Sequence, residues 1–553
     1  MNIKETVRKQ ISDLLDNAIK KAGFYPVNYL IETPREKSNG DFSANAAMLL
    51  AKTAKKPPRA IAESIVGNID CKGTYIDKIE VAGPGFINFY LNNRWLYDVM
   101  PIVEKMGDRY GSINYGKGKK VMVEFISANP TGPMHMGNAR GGALGDSMAA
   151  VLDFAGYDVT REFYLNDAGN QIEKFACSLE ARYLQQCGVD VPFDEEWYQG
   201  ADITDRAKEF IEINKDKYVN CDSETRKREL VKYSLEKNIK LMKKTLSDYR
   251  IEYDVWFKES ELHKSGEVKK AVEELTKRGF TYEKDGAIWL KSETEDEKDE
   301  VLIRANGIPT YFAADIAYHR NKFVTRGFDR VINVWGADHH GHVARMKYAM
   351  NAIGVDSDKL EVVLMQLVRL MRGGEVARMS KRTGKAITLD DLIEEIGTDA
   401  ARFFFNMRNA GSHFDFDLDL AVEQSNNNPV FYVQYAHARI CSIIRLLSED
   451  GKNVKPSAEI MPELLANEAE LNLLRKIAEL PDEIKAAAET LEPSKLTRYS
   501  VDIANSFHSF YNECHVNVKD EQLLNARLKL IDCARITLAN VLELLKVDAP
   551  QKM

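Results

Sequence analysis

Asn129-Pro-Thr-Gly-Pro-Met-His-Met-Gly-Asn138 lies between an apolar run, Val121-Met-Val-Glu-Phe-Ile126, and a stretch of small residues that includes Gly141, Gly142, Ala143, Gly145, Ala149 and Ala150. An almost continuous apolar run of this length is what a strand buried in a parallel sheet carries. Pro130, Gly132 and Pro133 stiffen and bend the turn after it, and the small residues predict a helix starting near Asn138 that a strand or ligand can approach closely. A helix N-terminus at the carboxyl edge of a parallel strand offers free N–H groups and the positive end of a dipole, which suits a triphosphate. His135, just ahead of that end, can donate to phosphate oxygens. A lone Gly/Pro-rich turn is more often an ordinary strand-to-helix connection, so a second feature has to carry the reading.

That feature is Glu375-Val-Ala-Arg-Met-Ser-Lys-Arg-Thr-Gly-Lys385, a basic loop between Gly373-Gly374 and the helix start Thr388-Leu-Asp-Asp391. Lys381, with Arg378, Arg382 and Lys385 nearby, can neutralise the charge that grows on a departing pyrophosphate. Alone, such a loop is usually a solvated surface.

The pair resembles the HIGH and KMSKS signatures of class I aminoacyl-tRNA synthetases, and the text around them is similar to the arginyl-tRNA synthetase family along nearly the whole chain. Gly40-Asp-Phe-Ser-Ala-Asn45, Ala82-Gly-Pro-Gly-Phe-Ile87, Tyr164-Leu-Asn-Asp-Ala-Gly-Asn-Gln171, Tyr311-Phe-Ala-Ala-Asp315 and Gly336-Ala-Asp-His-His340 carry the likeness in order. Three positions depart from the signatures: Asn138 replaces the last His, Arg378 the first Lys and Arg382 the final Ser. Asn still donates a hydrogen bond and Arg keeps the charge, although a planar fork is not geometrically an ammonium.

The resemblance implies an α/β fold: a Rossmann-like parallel sheet with a helical insertion, an α+β N-terminal domain and an all-α anticodon-binding bundle. The expected boundaries are 1–112, 113–412 with the insertion at about 172–300, and 413–553. The Gly/Lys-rich run Tyr110-Gly-Ser-Ile-Asn-Tyr-Gly-Lys-Gly-Lys119 marks the first boundary. In the family the N-terminal domain contacts the tRNA elbow; a merely structural module is the alternative. A second strand is predicted at Asp158-Val-Thr-Arg-Glu-Phe-Tyr-Leu165, and Val231, Leu235, Ile239, Met242 and Leu246 make a helical stripe. Arg330-Val-Ile-Asn-Val-Trp335 is another strand, and Thr398 is a candidate N-cap. From about Phe414 onward the chain reads as helices, for example Leu471, Leu474 and Ile477 followed by Pro481.

At 553 residues, 44% hydrophobic and 29% charged, the composition is that of a globular protein of several domains. No run of about twenty apolar residues appears and the N-terminus lacks an apolar signal core, so a cytoplasmic protein without a membrane partner is expected. The seven cysteines stand singly, without CxxC spacing, which points to neither a disulfide framework nor a zinc site. A net charge of −8 argues against indiscriminate nucleic-acid binding, although local basic patches such as Lys117-Gly-Lys-Lys120 can override the total. Asp338-His-His-Gly-His342 invites a metal reading, but Gly336 and Asp338 follow a predicted strand and belong at the sheet edge where ribose and adenine sit.

The chemistry implied is in-line attack of an amino-acid carboxylate on the α-phosphate of ATP, so positioning and charge stabilisation matter more than a nucleophile. No Gly-x-Ser-x-Gly elbow, Walker-type loop or HExxH helix is present. His135, Asn138 and Lys381 are the expected catalytic groups, His135 and Lys381 each worth roughly 2–4 kcal/mol if they act like oxyanion-hole donors. ATP is expected on Pro130, Thr131, Gly132, Pro133, His135, Gly137, Asn138, Gly336, Asp338, Met379, Ser380 and Lys381, with Mg²⁺ held mainly by the nucleotide and no tightly bound cofactor or zinc. A planar five-donor guanidinium needs anionic acceptors. By resemblance these are Glu124, Asp315 and Glu259, with Tyr311 flanking the side chain, Asn129 on the backbone amino group and His339 touching substrate. The expected partners are tRNA(Arg), L-arginine and ATP, and the expected state is a monomer. Other class I synthetases and an inactive tRNA-binding relative are the rival readings.

Overall fold

The computed structural model describes residues 2–34, 36–292, 298–377 and 387–553. Its N-terminal unit pairs the helix Ile3–Lys21 with a four-stranded antiparallel sheet ordered Ile31–Glu32, Phe42–Ala44, Phe86–Leu91, Ile76–Ala82. Val7, Ile11 and Leu15 recur every four residues and bury one face of that helix, and the Asn2 side chain accepts from the N–H groups of Lys4 and Glu5 at its start.

Five parallel strands form the central sheet: β1 (Lys120–Glu124), β2 (Asp158–Leu165), β3 (Val255–Lys258), β4 (Arg330–Gly336) and β5 (Leu360–Met365). Their order is β5-β4-β1-β2-β3. Val121, Met122 and Val123 are all fully buried, which accounts for an unbroken apolar run rather than an alternating one. The order reverses between β1 and β4, and a crevice opens there at the carboxyl ends of the strands.

Helix α1 (Gly137–Phe154) follows β1 and is buried on nearly every side. Its glycines serve packing: a Cβ at Gly145 would collide with the Phe125 ring, and one at Gly142 would meet Ile251 Cδ1 at 2.8 Å. Two buried cations then lock the helix in place. Arg140 donates to the carbonyls of Gln366 (2.7 Å), Asn409 (2.9 Å) and Ser412 (3.1 Å). Asp146 accepts from Arg402 Nη2 (2.6 Å) and Arg161 Nε (3.1 Å), while Arg402 also reaches the carbonyls of Leu545 (2.8 Å) and Tyr249 (3.0 Å).

The stretch between β2 and β4 is helical only in its first part. Helices Asn170–Gln186, Ala201–Asn214 and Ser223–Asp248 share a small core around Phe175, Tyr183 and Phe210. β3 then returns to the edge of the central sheet, and Thr281–Lys284, Ala287–Leu290 and Glu300–Ile303 make a three-stranded antiparallel sheet. Such short strands leave no readable periodicity in a stretch expected to be helical to about residue 300. On Ser223–Asp248 the expected stripe is displaced as well. Met242 and Leu246 are buried, but polar Ser234 and Asn238 hold the centre, because Asn238 Nδ2 donates to the Pro130 carbonyl (2.9 Å).

Downstream, Thr388 caps Leu389–Ile396 with a reciprocal capping box. Thr398 is not the cap of the next helix: Gly397, at φ 79°, takes that position, and Thr398 Oγ1 donates to the Asp248 carbonyl instead. Phe414–Asp417, where helices were expected to begin, is instead a short strand paired parallel to Val368–Arg372, too short to show a period. Five helices, Pro429–Glu449, Glu468–Ala478, Leu480–Thr490, Ser494–Glu513 and Glu521–Leu545, then form a bundle around Leu474, Ile503 and Leu538. Among the described residues no helix is long and apolar enough to cross a membrane.

Removing one partner of a buried ion pair strands the other charge, which costs about 3–5 kcal/mol. Arg402→Met should therefore lower the thermal unfolding midpoint by several degrees, far more than exposed Arg369→Met, although Arg369 is also paired, with Asp415. Equal midpoints would remove Arg402 from its place as the central tie.

Candidate active site

β1 ends at Glu124, and the chain leaves it through Ile126 and Ser127 at φ values of 67° and 47°. For a β-branched residue this conformation costs about 1–3 kcal/mol and persists only where neighbours hold it. Ser127 Oγ does so, donating to Glu124 Oε1 (2.9 Å) and accepting from the Tyr164 N–H (3.2 Å). The kink aims Glu124 and Ser127 into a cavity of about 510 Å³ between β1 and β4, lined also by Tyr164, Asp315, Trp335 and His342.

The signature loop that follows is pinned from two sides. Asn238 holds Pro130, and residues 134–136 run antiparallel to residues 387–389, with the Met136 N–H on the Ile387 carbonyl (3.1 Å) and the Leu389 N–H on the Met134 carbonyl (3.0 Å). His135 is exposed and its Nδ1 accepts from the Gly137 N–H (3.1 Å), which leaves the proton on Nε2. Asn138 Oδ1 accepts from the His135 N–H (3.0 Å), so its NH₂ remains as a donor. Thr131 is buried, Gly132 and Asn138 are half-buried, and Pro133 and Gly137 are exposed. Asn129 donates to Gln171 Oε1 (2.5 Å). Met379, Ser380 and Lys381 lie outside the described residues; the segment resuming at Ile387 lies against the His135 loop.

Helix α2 (Tyr311–Arg320), capped by Thr310, supplies Asp315, whose Oδ2 meets His342 Nε2 at 3.1 Å. His342 belongs to α3 (His340–Ala352), and Trp335 at the end of β4 stands 5.4 Å from its ring. Gly336, Asp338 and His339 line the same cavity, the last two exposed. Tyr311 and Glu259 border a second cavity of about 810 Å³, together with Gly169, His263 and Arg304. The Tyr311 hydroxyl accepts from the Asn170 N–H (3.0 Å).

Glu259 is buried, with His263 Nε2 at 3.5 Å and the Asn166 amide, in the orientation that satisfies it, donating at 2.9 Å. Burial raises its carboxyl above the usual range, and the nearby Asp315 charge raises it further. The Tyr164 hydroxyl is raised by burial and by the charges of Glu259, Asp315 and Glu124. Glu124 and Asp315 line the same cavity as Tyr164 and Glu259 borders the neighbouring one, a concentration of negative charge suited to a cationic ligand.

Beneath the pocket lies a polar relay that sequence reading missed. Buried Lys322 contacts Glu124 and Asn333, and Asn333 Nδ2 donates to His319 Nε2 (2.7 Å), whose Nδ1–H donates to the Asp315 carbonyl (2.8 Å). Burial, reinforced by the Lys322 ammonium, pushes the His319 imidazole well below its usual range and keeps it neutral. A second unforeseen cluster lies on the bundle: Phe431 and Tyr435 lie parallel (6.2 Å), and the Arg439 guanidinium covers Tyr511 (4.1 Å). The four-residue helical steps from Phe431 to Tyr435 to Arg439 were the available signal.

Residues 102–424 match the class I tRNA synthetase (R) catalytic domain, 2–91 the arginyl tRNA synthetase N-terminal domain and 433–553 the DALR anticodon binding domain. An arginine–tRNA ligase of Ruminiclostridium cellulolyticum is 60% identical over the full length of both chains. The chain belongs to the arginyl-tRNA synthetase family. Among solved structures, one from Campylobacter jejuni assigned to that family is 32% identical, covers 84% of this chain and all of its own, and superposes with a TM-score of 0.75. The arginyl-tRNA synthetase of Thermus thermophilus, 23% identical with 99% of this chain and all of its own covered, shares the fold at a TM-score of 0.74.

Within the bundle, His508 lies 5.0 Å from the Tyr432 ring with its Nε2 buried and unpartnered. Burial and the Arg439 cation push its imidazole down to about 4. The unfolded chain, with an ordinary histidine near 6.5, takes up a proton that the folded one refuses. Stability is thus fully present above about 6.5 and falls as the pH drops toward 4. His508→Gln should flatten that slope in thermal melts between pH 7.5 and 4.5; an unchanged slope would contradict the assignment.

Proposed function

We propose that the β1/β4 crevice activates L-arginine with ATP and transfers it to the terminal ribose of tRNA(Arg). The chain is an arginine–tRNA ligase by family, sharing 60% of its residues with a full-length relative of that name. The observation that supports this site best is the pair of carboxylates Glu124 and Asp315 lining one cavity with Tyr164, with Glu259 on the neighbouring cavity, next to a strained, pinned loop that opens a helix N-terminus. An excess of carboxylates in a half-enclosed pocket favours a side chain carrying permanent positive charge, and a guanidinium can share its five donors among several acceptors.

In the first step the arginine carboxylate oxygen attacks the α-phosphorus of ATP, the bond to the β-phosphate oxygen breaks, and pyrophosphate leaves from arginyl-adenylate. His135 Nε2–H, the Asn138 amide and Lys381 stabilise the phosphate charge, the first two from the helix N-terminus and Lys381 from the basic loop. Pro130, Thr131, Gly132, Pro133 and Gly137 form the phosphate-facing turn; Met379 and Ser380 are further ATP-binding residues, and Gly336 and Asp338 take the nucleoside. Mg²⁺ arrives with the nucleotide. Asp315 and Glu259 receive the guanidinium, Glu124 completes the anionic wall, Tyr311 and His339 flank the substrate, and Asn129 holds its amino group. In the second step a terminal ribose hydroxyl attacks the acyl carbon and AMP departs.

The tRNA is read by the bundle, residues 413–553, where the Phe431, Tyr435, Tyr511 and Arg439 platform offers stacking surfaces for unpaired bases. Residues 1–112 contact the tRNA elsewhere, and 113–412 hold the chemistry. The enzyme acts as a monomer in the cytoplasm.

Aminoacylation of total tRNA with each of the twenty amino acids tests this reading, with arginine alone expected to be charged. Lys381→Ala should slow ATP/pyrophosphate exchange, run with tRNA present, by on the order of 10²-fold while leaving tRNA affinity nearly intact. Asp315→Asn should raise the arginine KM by a similar factor without moving the ATP KM, since the neutral amide loses the charge-assisted bond. An unchanged exchange rate in the first variant, or an unchanged arginine KM in the second, refutes the corresponding role.

A further inference from the structure

Lys322 is completely buried, and an unpaired ammonium in that position would cost several kcal/mol. It follows α2 where the backbone widens into a π-turn over Asn321–Thr325, a winding found frequently at functional sites. Its Nζ donates to Glu124 Oε2 (2.5 Å) and Asn333 Oδ1 (3.1 Å) and lies 4.1 Å from the Tyr318 ring centre. Every partner also belongs to the pocket wall or reaches it. Glu124 and Tyr318 line the cavity, and Asn333 leads through His319 to the backbone of Asp315.

A hydrophobic side chain of similar volume would fill the space under the pocket at lower cost, so the cation has to be explained by what it touches. Without it, two carboxylates, Glu124 and Asp315, would face the same cavity across Tyr164, and their mutual repulsion would oppose a closed pocket. With it, Glu124 is already engaged on both oxygens, by Lys322 and by Ser127, whereas among the described residues the Asp315 carboxylate meets His342 alone.

We propose that Lys322 is a positioning residue of the amino-acid pocket, an internal cation that occupies Glu124 and, through Asn333 and His319, sets the Asp315 turn of α2, so that of the two carboxylates lining this cavity it is Asp315, not Glu124, that is left to meet the substrate cation. Glu124 then contributes shape and charge balance rather than a bidentate contact. This inference rests on the arginine reading of the pocket.

The test is a double-mutant cycle in the full-length enzyme with aminoacylation kinetics: wild type, Lys322→Met, Glu124→Gln, and both together. Each single variant leaves a buried polar or charged partner stranded and should raise the arginine KM roughly tenfold or more, with the ATP KM within about twofold of wild type. The double variant removes both charges at once and should lie closer to wild type than either single. An unchanged arginine KM in Lys322→Met overturns the proposal. So does a double variant whose loss equals the product of the singles, since Glu124 and Lys322 would then act independently on the substrate. If Lys322→Met does not fold, Lys322→Gln replaces it in the same cycle. Failure of the arginine reading would show separately, as a wild-type enzyme that charges a different amino acid, and the cycle would then be read on the KM for that amino acid.

Discussion

The Asp146 carboxylate, shared between Arg161 and Arg402 and buried almost completely, is the constraint on which the rest of the molecule depends. Asp146 stands on α1, Arg161 on β2, and Arg402 on the helix Thr398–Asn406. Arg402 spends its remaining donors on the carbonyls of Tyr249, at the end of the long insertion helix, and Leu545, at the end of the last bundle helix. Five parts of the chain, far apart in sequence, thus meet around this one ion-paired cluster. Nonspecific apolar packing could hold them together equally strongly, but it would not fix their relative rotation as directional charge-assisted bonds do. The opening residues of α1 are the phosphate-facing turn, so the orientation of the chemistry is set some ten residues away, at this junction.

The site itself is built from strain and from opposed charges. Ile126 and Ser127 are held in an unfavourable conformation, and their reward is a serine that fastens Glu124 to the floor of the crevice. Near Tyr164 lie the carboxylates Glu124, Asp315 and Glu259, and the buried Lys322 ammonium beside them is paired internally with Glu124. At separations of a few ångströms, like charges in a partly desolvated pocket repel by several kcal/mol, far more than a surface ion pair returns. A pocket of this kind prefers to be completed by a cationic ligand; the Glu259 carboxyl is raised first by burial and further by the Asp315 charge, while burial and the Lys322 ammonium keep His319 neutral. The phosphate side is organised in the opposite sense, by N–H groups and the His135 Nε2–H at a helix start.

Much of this was legible in the residues. The apolar run at Val121, the small-residue helix after it and the strands ending at Leu165 and Trp335 all formed where their patterns predicted, because hydrophobic periodicity and turn chemistry are local signals. Asp315 was named through the family resemblance, and the structure puts it on the cavity wall one turn beyond Tyr311. What stayed hidden depended on long-range partners. Asn238 carries no local signal, yet it reaches Pro130; Lys322 and Asn333 carry none either, since they meet only when α2 and β4 are packed on β1. Thr398 carried a good capping side chain but was displaced by Gly397, whose positive φ no other residue adopts so readily. The strands near Phe257 and Trp289 were too short to show a period.

The most direct measurement is a crystal structure of the enzyme with L-arginine bound. The account predicts the guanidinium between β1 and β4, with Asp315 as its principal carboxylate and the Glu124–Lys322 pair intact beneath it. Arginine seated instead in the neighbouring cavity beside Arg304, or a guanidinium that displaces Lys322 from Glu124, would contradict it.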